Sequence, residues 1–386
     1  MKISRILQFA GGLALAGAGL YVFFDSLDLS SLAKKISDTS PWVIVVCSFL
    51  SIFTLWLRAI RWRIILPPAE GTAHKKGLFR LVTIAYMVNN ILPARLGEAA
   101  RVLLLWRRNG YTVAASIGSL VLERVIDMMV FSSFFFLPVL FSPILRSVLD
   151  QNPNRKIVIF LAVGSLLMCV VALGGLFIYS LIPQKFRSIA HTLSTYLPSK
   201  VQRFGQKIGS ELVSNLDWVF SKRKIVKVVL LSYATAFCYS FILYFLAGDS
   251  AVFGVLESMF GQAFAAFGAA IPLTPGFVGT LHAALLQGLI FIGIDPGKAG
   301  AMVILYHALS YLTVTVAGLF FFFSMNVTIS DITRADDQIK KSSLEERADG
   351  VGEGQGSDGC TGVVRNAAGS EKGDRQEDRG SAGGDR

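Results

Sequence analysis

From Ile157 to Ile182 not one side chain is charged, and Val252 to Ile294 holds neither lysine nor arginine. Runs of this kind recur along the chain, at the ~20 residues a helix needs to cross a hydrocarbon core about 30 Å thick. A soluble core has no use for so many of them. Hydrophobic residues make up 53% of the 386 and charged residues 16%, and a backbone in lipid must satisfy its own polar groups. The fold class follows before any motif is read: an all-α polytopic membrane protein, with roughly 6–8 transmembrane helices by length.

The net charge of +11 is uneven. From Asp331 onward there are 9 basic and 13 acidic residues, a balance of −4, which leaves +15 on the first 330. A basic membrane body fits cytoplasmic loops facing anionic lipid, so membrane lipids are the expected partners. No basic–aromatic module points to nucleic acid. Cys47, Cys169 and Cys238 fall in apolar runs and Cys360 in the tail, without CxxC or metal-ligand spacing, so neither a disulfide nor a metal is expected. HExxH, GxSxG and GxxxxGK[ST] are missing as well, which argues against an enzyme or a cofactor.

Lys2 and Arg5 precede an apolar run to Phe24, which predicts a retained helix with a cytoplasmic N-terminus; Ala16-Gly17-Ala18 leaves a cleaved signal as the alternative. Pro41–Ile65 is a second span, returning to a basic end at Arg58, Arg61 and Arg63. Arg58 is either an interfacial anchor or a side chain turned inward to hold lipid phosphate. Val113–Phe141 crosses outward and carries Glu123, Arg124 and Asp127 within apolar sequence. Glu123 and Asp127 are four apart on one face, either locking helices together or facing the arginines upstream. Ser142–Lys156 reads as an external loop and Ile157–Ile182 as a return span. Residues 183–224 form a cytoplasmic connection, where Val201, Phe204, Ile208, Leu212, Leu216 and Val219 recur at helical steps. That pattern predicts an amphipathic helix lying on the inner leaflet. Residues 326–386 are too poor in large apolar side chains to order themselves, and are expected to form a disordered cytoplasmic tail after a membrane domain over 1–325.

The densest polar cluster inside apolar sequence is Asn89–Arg101, with Asn90, Pro93, Arg95, Gly97, Glu98 and Arg101. Ionisable groups at membrane depth cost about 2.5–3.5 kcal/mol each on insertion scales, so they pair or face a cavity. Lys75, Lys76 and Arg80 precede the segment and Arg107 and Arg108 follow it. With both ends cytoplasmic it enters and returns as a re-entrant hairpin, broken near Pro93–Gly97. Arg95, Glu98 and Arg101 fall three apart and leave net positive charge. Guanidinium groups suit phosphate, and a helix start after Pro93 would add backbone N–H groups. A self-contained Arg–Glu–Arg lock is the alternative.

The second half repeats the plan. After Ile225–Ala247, the apolar Val252–Ile294 is broken at Pro272-Leu-Thr-Pro275-Gly276, either as two crossing arms or as a hairpin entered from outside, and Ala299–Phe323 crosses last. Span, broken hairpin, span, twice and in opposite directions, is the topology of an inverted-repeat transporter. His282 and His307 fall in this half, as packing residues or as part of a pocket or proton relay.

Asn90-Ile-Leu-Pro-Ala-Arg-Leu-Gly-Glu98 with Arg101, preceded by Leu57-Arg-Ala-Ile-Arg-Trp62 and followed by Glu123-Arg124 and Asp127, resembles the lysylphosphatidylglycerol synthase transmembrane, or flippase-like (UPF0104-type), family. The Pro272–Gly276 stretch with Gly279 is similar to its second motif. The resemblance covers about residues 1–325 and lacks the aminoacyl-transfer domain of the synthases. Phe277 and then His282 stand where many relatives have a second glycine and a glutamate, and His307 where others carry arginine. The resemblance implies an integral protein of the bacterial cytoplasmic (inner) membrane that binds and moves an anionic phospholipid or isoprenoid-type lipid in envelope biogenesis. Arg58, Arg95 and Arg101 are expected to hold the head group, with Glu98, Glu123 and Asp127 orienting them or switching with them and Arg124 in the same binding site. Pro93, Gly97, Pro272, Pro275 and Gly276 would shape the broken helices. A non-transporting scaffold for an envelope-lipid or glycan-modifying enzyme is the alternative.

Overall fold

In the computed structural model the described residues are 37–68, 73–92, 95–151, 155–181, 199–221, 224–248, 253–271 and 274–325, with Gln184, Ser188 and Thr192. The expected N-terminal helix, most of the 183–198 stretch, the C-terminal tail, Pro93 and Pro272 lie outside them. All the regular structure described is helical.

Helix α1 (Pro41–Ile65) starts on a proline, whose missing N–H costs nothing in a first turn. The break in the opening polar stretch leaves two short helices, α2 (Leu78–Ile91) and α3 (Leu96–Asn109). Helix α4 (Val113–Phe141) is capped by the Thr112 hydroxyl, which accepts from the Ala115 N–H at 3.1 Å. Then come α5 (Pro143–Gln151), α6 (Arg155–Leu181), α7 (Ser199–Ser221) and α8 (Ile225–Ala247). A second broken pair, α9 (Val255–Ala270) and α10 (Thr280–Phe291), is joined through a 3₁₀ turn at Pro275–Phe277. Helix α11 (Pro296–Ser324) closes the series, its first N–H groups received by the Asp295 carboxylate. Five of these helices, α1, α4, α6, α8 and α11, are long and apolar enough to cross a membrane. Large side chains such as Phe49, Phe160, Val171, Val316 and Phe320 stay exposed, as a surface bathed in lipid requires.

The short helices settle what the sequence left open. At 14 residues each, α2 and α3 extend about 21 Å, and α9 and α10, with 16 and 12 residues, about 24 and 18 Å. None spans a ~30 Å core. Each pair instead packs arm on arm as a hairpin. The approach is close enough to demand glycine. A Cβ on Gly97 would sit 1.9 Å from the Ala85 carbonyl oxygen, and one on Gly268 2.5 Å from that of Thr280. Small residues let helix backbones approach in this way when no hydrophobic drive exists between helices in lipid.

The packing partners show the internal symmetry. Matching α1–α4 with α8–α11, α2 packs on α11 as α9 packs on α4, α1 on α2 as α8 on α9, and α3 on α4 as α10 on α11. The α1–α8 pair lies at the centre of both sets. The repeat expected from the order of spans and hairpins is therefore present in the packing partners. The hairpin tips meet: α2 contacts the 3₁₀ turn, and the Asn90 carbonyl lies 3.0 Å from where a Gly276 Cβ would be.

Two expectations change. Ser142–Lys156 is not a plain loop, because α5 forms there and buries Leu145 and Leu149. At its start the Ser142 hydroxyl donates to the buried Glu257 carboxylate, which also accepts from the Gly254 N–H at 2.9 Å, so the root of the second hairpin is tied to the end of α4. The amphipathic helix exists as α7, but protein covers its C-terminal apolar face. Val213, Leu216 and Val219 are buried against α4 and α1, Trp218 donates to the Ile64 carbonyl at 3.1 Å, and Asn215 donates to that of Ala115 at 3.4 Å. Both donors are directed at backbone carbonyls of other helices, which fixes α7 against α1 and α4.

On the connection between α1 and α2, Lys75 donates to the carbonyls of Leu66 and Arg63. Burial, with Lys224 and Arg63 close by, pushes its ammonium down to about 8 from 10.5. The unfolded chain then holds more protons between those values. The cost of keeping Lys75 charged is fully present below pH 8 and disappears as pH rises through the window to 10.5. Amine acylation of Lys75 in the folded protein, followed by peptide mass spectrometry, should reach half its maximum near pH 8. A midpoint at the ordinary lysine value would contradict the burial argument.

Candidate functional site

The charges within apolar sequence converge on one assembly. Arg61, wholly buried on the inner face of α1, sends one terminal nitrogen to Asp127 and to the Ser232 hydroxyl at 2.7 Å, and the other to Glu123. Glu123, also wholly buried, receives Arg101 on its other oxygen at 2.9 Å. The Arg101 guanidinium lies 3.8 Å above the Trp62 ring, and the Trp62 indole N–H donates to Ser119 at 3.0 Å. Arg61 and Arg101 face Glu123 and one side of Asp127 in a buried block joining α1, α3, α4 and α8, and Asp127 is shared with the groups outside it.

From Asp127 the ion pairs lead outward into a cleft of about 1000 Å³, measured to its open mouth, lined by residues of α1–α4, α8, α9, the second hairpin and α11. Arg58 lies 3.9 Å from Asp127, its guanidinium 5.0 Å from the Tyr86 ring centre and 5.8 Å from that of Tyr239. Arg124 reaches Glu98 at 3.2 Å and Asp127 at 3.6 Å, and Arg95 reaches Glu98 at 3.6 Å. Arg95 also crosses to the other hairpin, donating to the Ala269 carbonyl at 2.7 Å with its guanidinium 6.0 Å from the Phe277 ring centre. Three arginines against Glu98 and Asp127 leave one net positive charge on the lining. Five arginine Nε–H groups are buried without an acceptor among the described residues, and those of Arg58, Arg95 and Arg124 belong to cleft residues.

Backbone strain gathers at the same place. Among the described residues the non-glycine positions with positive φ are Arg95 at 53° and Phe277 at 59°, one on each hairpin tip. Such conformations cost of order 1–3 kcal/mol and persist where the surroundings over-determine them. Here the two strained residues face each other across the cleft. Gly276, at φ 59°, could not carry a side chain, since a Cβ would lie 2.7 Å from the Tyr311 ring.

Of the residues singled out from sequence, Arg58, Asn90, Arg95, Glu98, Arg124, Asp127 and His307 line the cleft. Arg101 and Glu123 do not, because Trp62 and Arg61 enclose them. The expected row of Arg95, Glu98 and Arg101 along one helix is also broken: Arg95 is left-handed and precedes α3, so its side chain faces the cleft while Arg101 faces Glu123. Nor are the first N–H groups of α3 free for an anion. Gly97 N–H donates to the Asn89 side chain at 2.8 Å and Glu98 N–H to the Arg95 carbonyl at 2.9 Å. Asn90 ties the first tip to α11 through Thr315 Oγ1 at 3.0 Å and the Tyr311 carbonyl at 3.3 Å. Pro275 and Gly276 form the second tip, and His282 lies behind His307.

Sequence reasoning missed Arg61, although its three-residue step from Arg58 put both on one face. It also missed Tyr86, Tyr239, Gln262, Tyr306 and Tyr311, which have no local signal and reach the site only through packing. Cys47, Cys169 and Cys238 are unpaired thiols.

The arrangement has relatives. A UPF0104 membrane protein of Methanocaldococcus jannaschii is 24% identical over 240 residues, 61% of this chain and 93% of its own length. A second UPF0104 membrane protein of that organism is 23% identical over 310 residues, 76% of this chain and 87% of its own. The glycosyltransferase AglD of Haloferax volcanii is 28% identical over 129 residues, 33% of this chain but 20% of that protein. Residues 9–318, which take in every cleft residue, match the family described as the lysylphosphatidylglycerol synthase TM region, and the chain is a multi-pass membrane protein belonging to that family.

Proposed function

We propose that the cleft binds the phosphate-bearing head group of an anionic phospholipid or isoprenoid-type lipid, and that the two hairpins carry it between leaflets. On this reading the protein is a translocase rather than an enzyme, placed in the cytoplasmic membrane with both termini on the basic side. The observation that carries it is the meeting of two strained hairpin tips over a cleft with three arginines and two carboxylates. Across the block and the lining together five arginines meet three carboxylates, and this cationic excess suits a phosphate, which guanidinium forks bind in two-toothed fashion. Discontinuous helices meeting at a charged site from opposite directions are how inverted-repeat transporters expose a site alternately to each side.

Reconstituted in phosphatidylcholine vesicles with a trace of fluorescent phosphatidylglycerol, the protein should expose inner-leaflet label to an external quencher. Arg95→Ala removes charge-assisted hydrogen bonds worth about 1.5–3 kcal/mol, so the rate should fall roughly 10- to 100-fold. Glu98→Gln should act in the same direction by freeing Arg95 and Arg124 from their shared carboxylate. Unchanged rates in both folded variants would defeat the assignment.

The match to part of a glycosyltransferase favours a second reading, in which the membrane domain is an accessory to a glycan- or lipid-modifying enzyme. That reading predicts tolerance of both substitutions and co-purification with such an enzyme.

A further inference from the structure

Beyond the charged cluster, the cleft wall holds a pair of histidines brought together from two helices. His282, in the first turn of α10, and His307, midway along α11, make ring-nitrogen contact at 2.6 Å, with ring centres 4.6 Å apart. His307 lines the cleft and stands edge-on to the Tyr311 ring at 5.7 Å. The Tyr311 hydroxyl in turn donates to the Asn90 carbonyl at 3.4 Å. The pair therefore fastens the second hairpin tip to α11, close to where it meets the first.

We propose that His282 and His307 form a proton-binding site linked to the anion in the cleft, so that lipid movement is coupled to proton movement. The inference rests on the phosphate-binding reading above and names its coupling ion. A nitrogen-to-nitrogen contact requires one donor and one acceptor, so the neutral pair keeps one N–H between the rings. A further proton, taken from water through the cleft, adds to a ring nitrogen outside the contact and makes an imidazolium, whose N–H···N bond to the other ring is kept as a charge-assisted one. The new charge faces the bound phosphate and is stabilised by it. By linkage, head-group binding then favours proton uptake and its release returns the proton.

Other ionisable groups around the pair do not take this part. Asp127 and Glu98 already share Arg124, and Arg58 and Arg95 pair with the same two carboxylates. On α11, Tyr306 donates to Gln262 of α9 at 2.7 Å. The neighbouring tyrosines, Tyr86 from α2 and Tyr239 from α8, have their rings against the Arg58 guanidinium. Histidine is the side chain whose ordinary charge change falls there.

The test measures translocation of fluorescent phosphatidylglycerol in phosphatidylcholine vesicles with and without a pH difference. For one coupled proton, a difference of about one unit biases the leaflet distribution up to about tenfold. Wild type should show a bias of several-fold, and His282→Gln, a residue outside the cleft lining, should show none whatever its absolute rate. A wild-type bias of one, or a His282→Gln bias equal to wild type, overturns the proposal while leaving phosphate binding standing. A second measurement needs no transport and covers the case of a variant that fails to fold. Dihexanoyl-phosphatidylglycerol or inorganic phosphate is added to the detergent-solubilised wild-type protein in weak buffer containing a pH dye. Proton uptake accompanying phosphatidylglycerol binding supports the site, and uptake with inorganic phosphate as well would make the bare anion, not the lipid, the linked ligand. Binding without uptake overturns the proton site alone. If neither probe binds, the phosphate reading falls with it.

Discussion

Arg61→Met is expected to cost about 3–5 kcal/mol of stability, the usual penalty for removing one partner of a buried ion cluster. The change leaves Glu123 and the inner oxygen of Asp127 facing a single sealed cation, Arg101, with the Ser232 hydroxyl also stripped of its donor. The loss is not one of attraction alone: a wholly buried carboxylate without its counter-charge has no water to turn to. Thermal or denaturant unfolding in detergent should show a large drop for Arg61→Met. Arg61→Lys should be partly spared, since it keeps the charge but not the fork that serves two carboxylates at once. Wild-type stability in Arg61→Met would mean the block is solvated and the helices are held together by other means.

Gly97→Ala should be the second severe change. The added carbon would lie 1.9 Å from the Ala85 backbone oxygen and 2.6 Å from the Asn89 side-chain oxygen. A backbone carbonyl inside a helix cannot rotate away, so the arms of the first hairpin must separate. Overpacking of this kind costs typically about 1–3 kcal/mol. Parting the arms also pulls Asn89 off the Gly97 N–H in the first turn of α3 and moves Arg95 relative to Ala269. Stability should fall and lipid movement should fall with it. Gly164→Ala on α6 is the matched control, because its new carbon meets nothing within 4 Å and ought to leave both unchanged or slightly improve stability. Equal behaviour of the two variants would show that the hairpin arms have room to relax.

Much of the plan was legible because its signals are local. Long uncharged runs mark helices by length alone, and the first broken stretch declared itself by placing arginine, glutamate and glycine between basic flanks. The mirrored order of spans and hairpins needed only counting. The covering of α7 was not legible. A periodic apolar face reads the same whether membrane or protein lies against it, and here the donors of Trp218 and Asn215 select helix backbones. Arg61 was within reach, being three residues from Arg58, but nothing local distinguishes a sealed arginine from one that opens on a cleft.

By itself, then, the sequence determined the helical membrane class, the first broken hairpin, the break in the second apolar segment and which segments carry charge, since each depends on length, hydropathy and spacing along one stretch. Only the tertiary structure decided which charges are walled in and which face the cleft. Arg101 is closed off by Trp62 of α1, and Arg95 is turned outward by a left-handed backbone at the tip. It also decided that His282 and His307 touch, though 25 positions separate them. Those outcomes depend on how closely backbones approach at Gly97, Gly268 and Gly276, and such distances are set jointly by both partners of a contact.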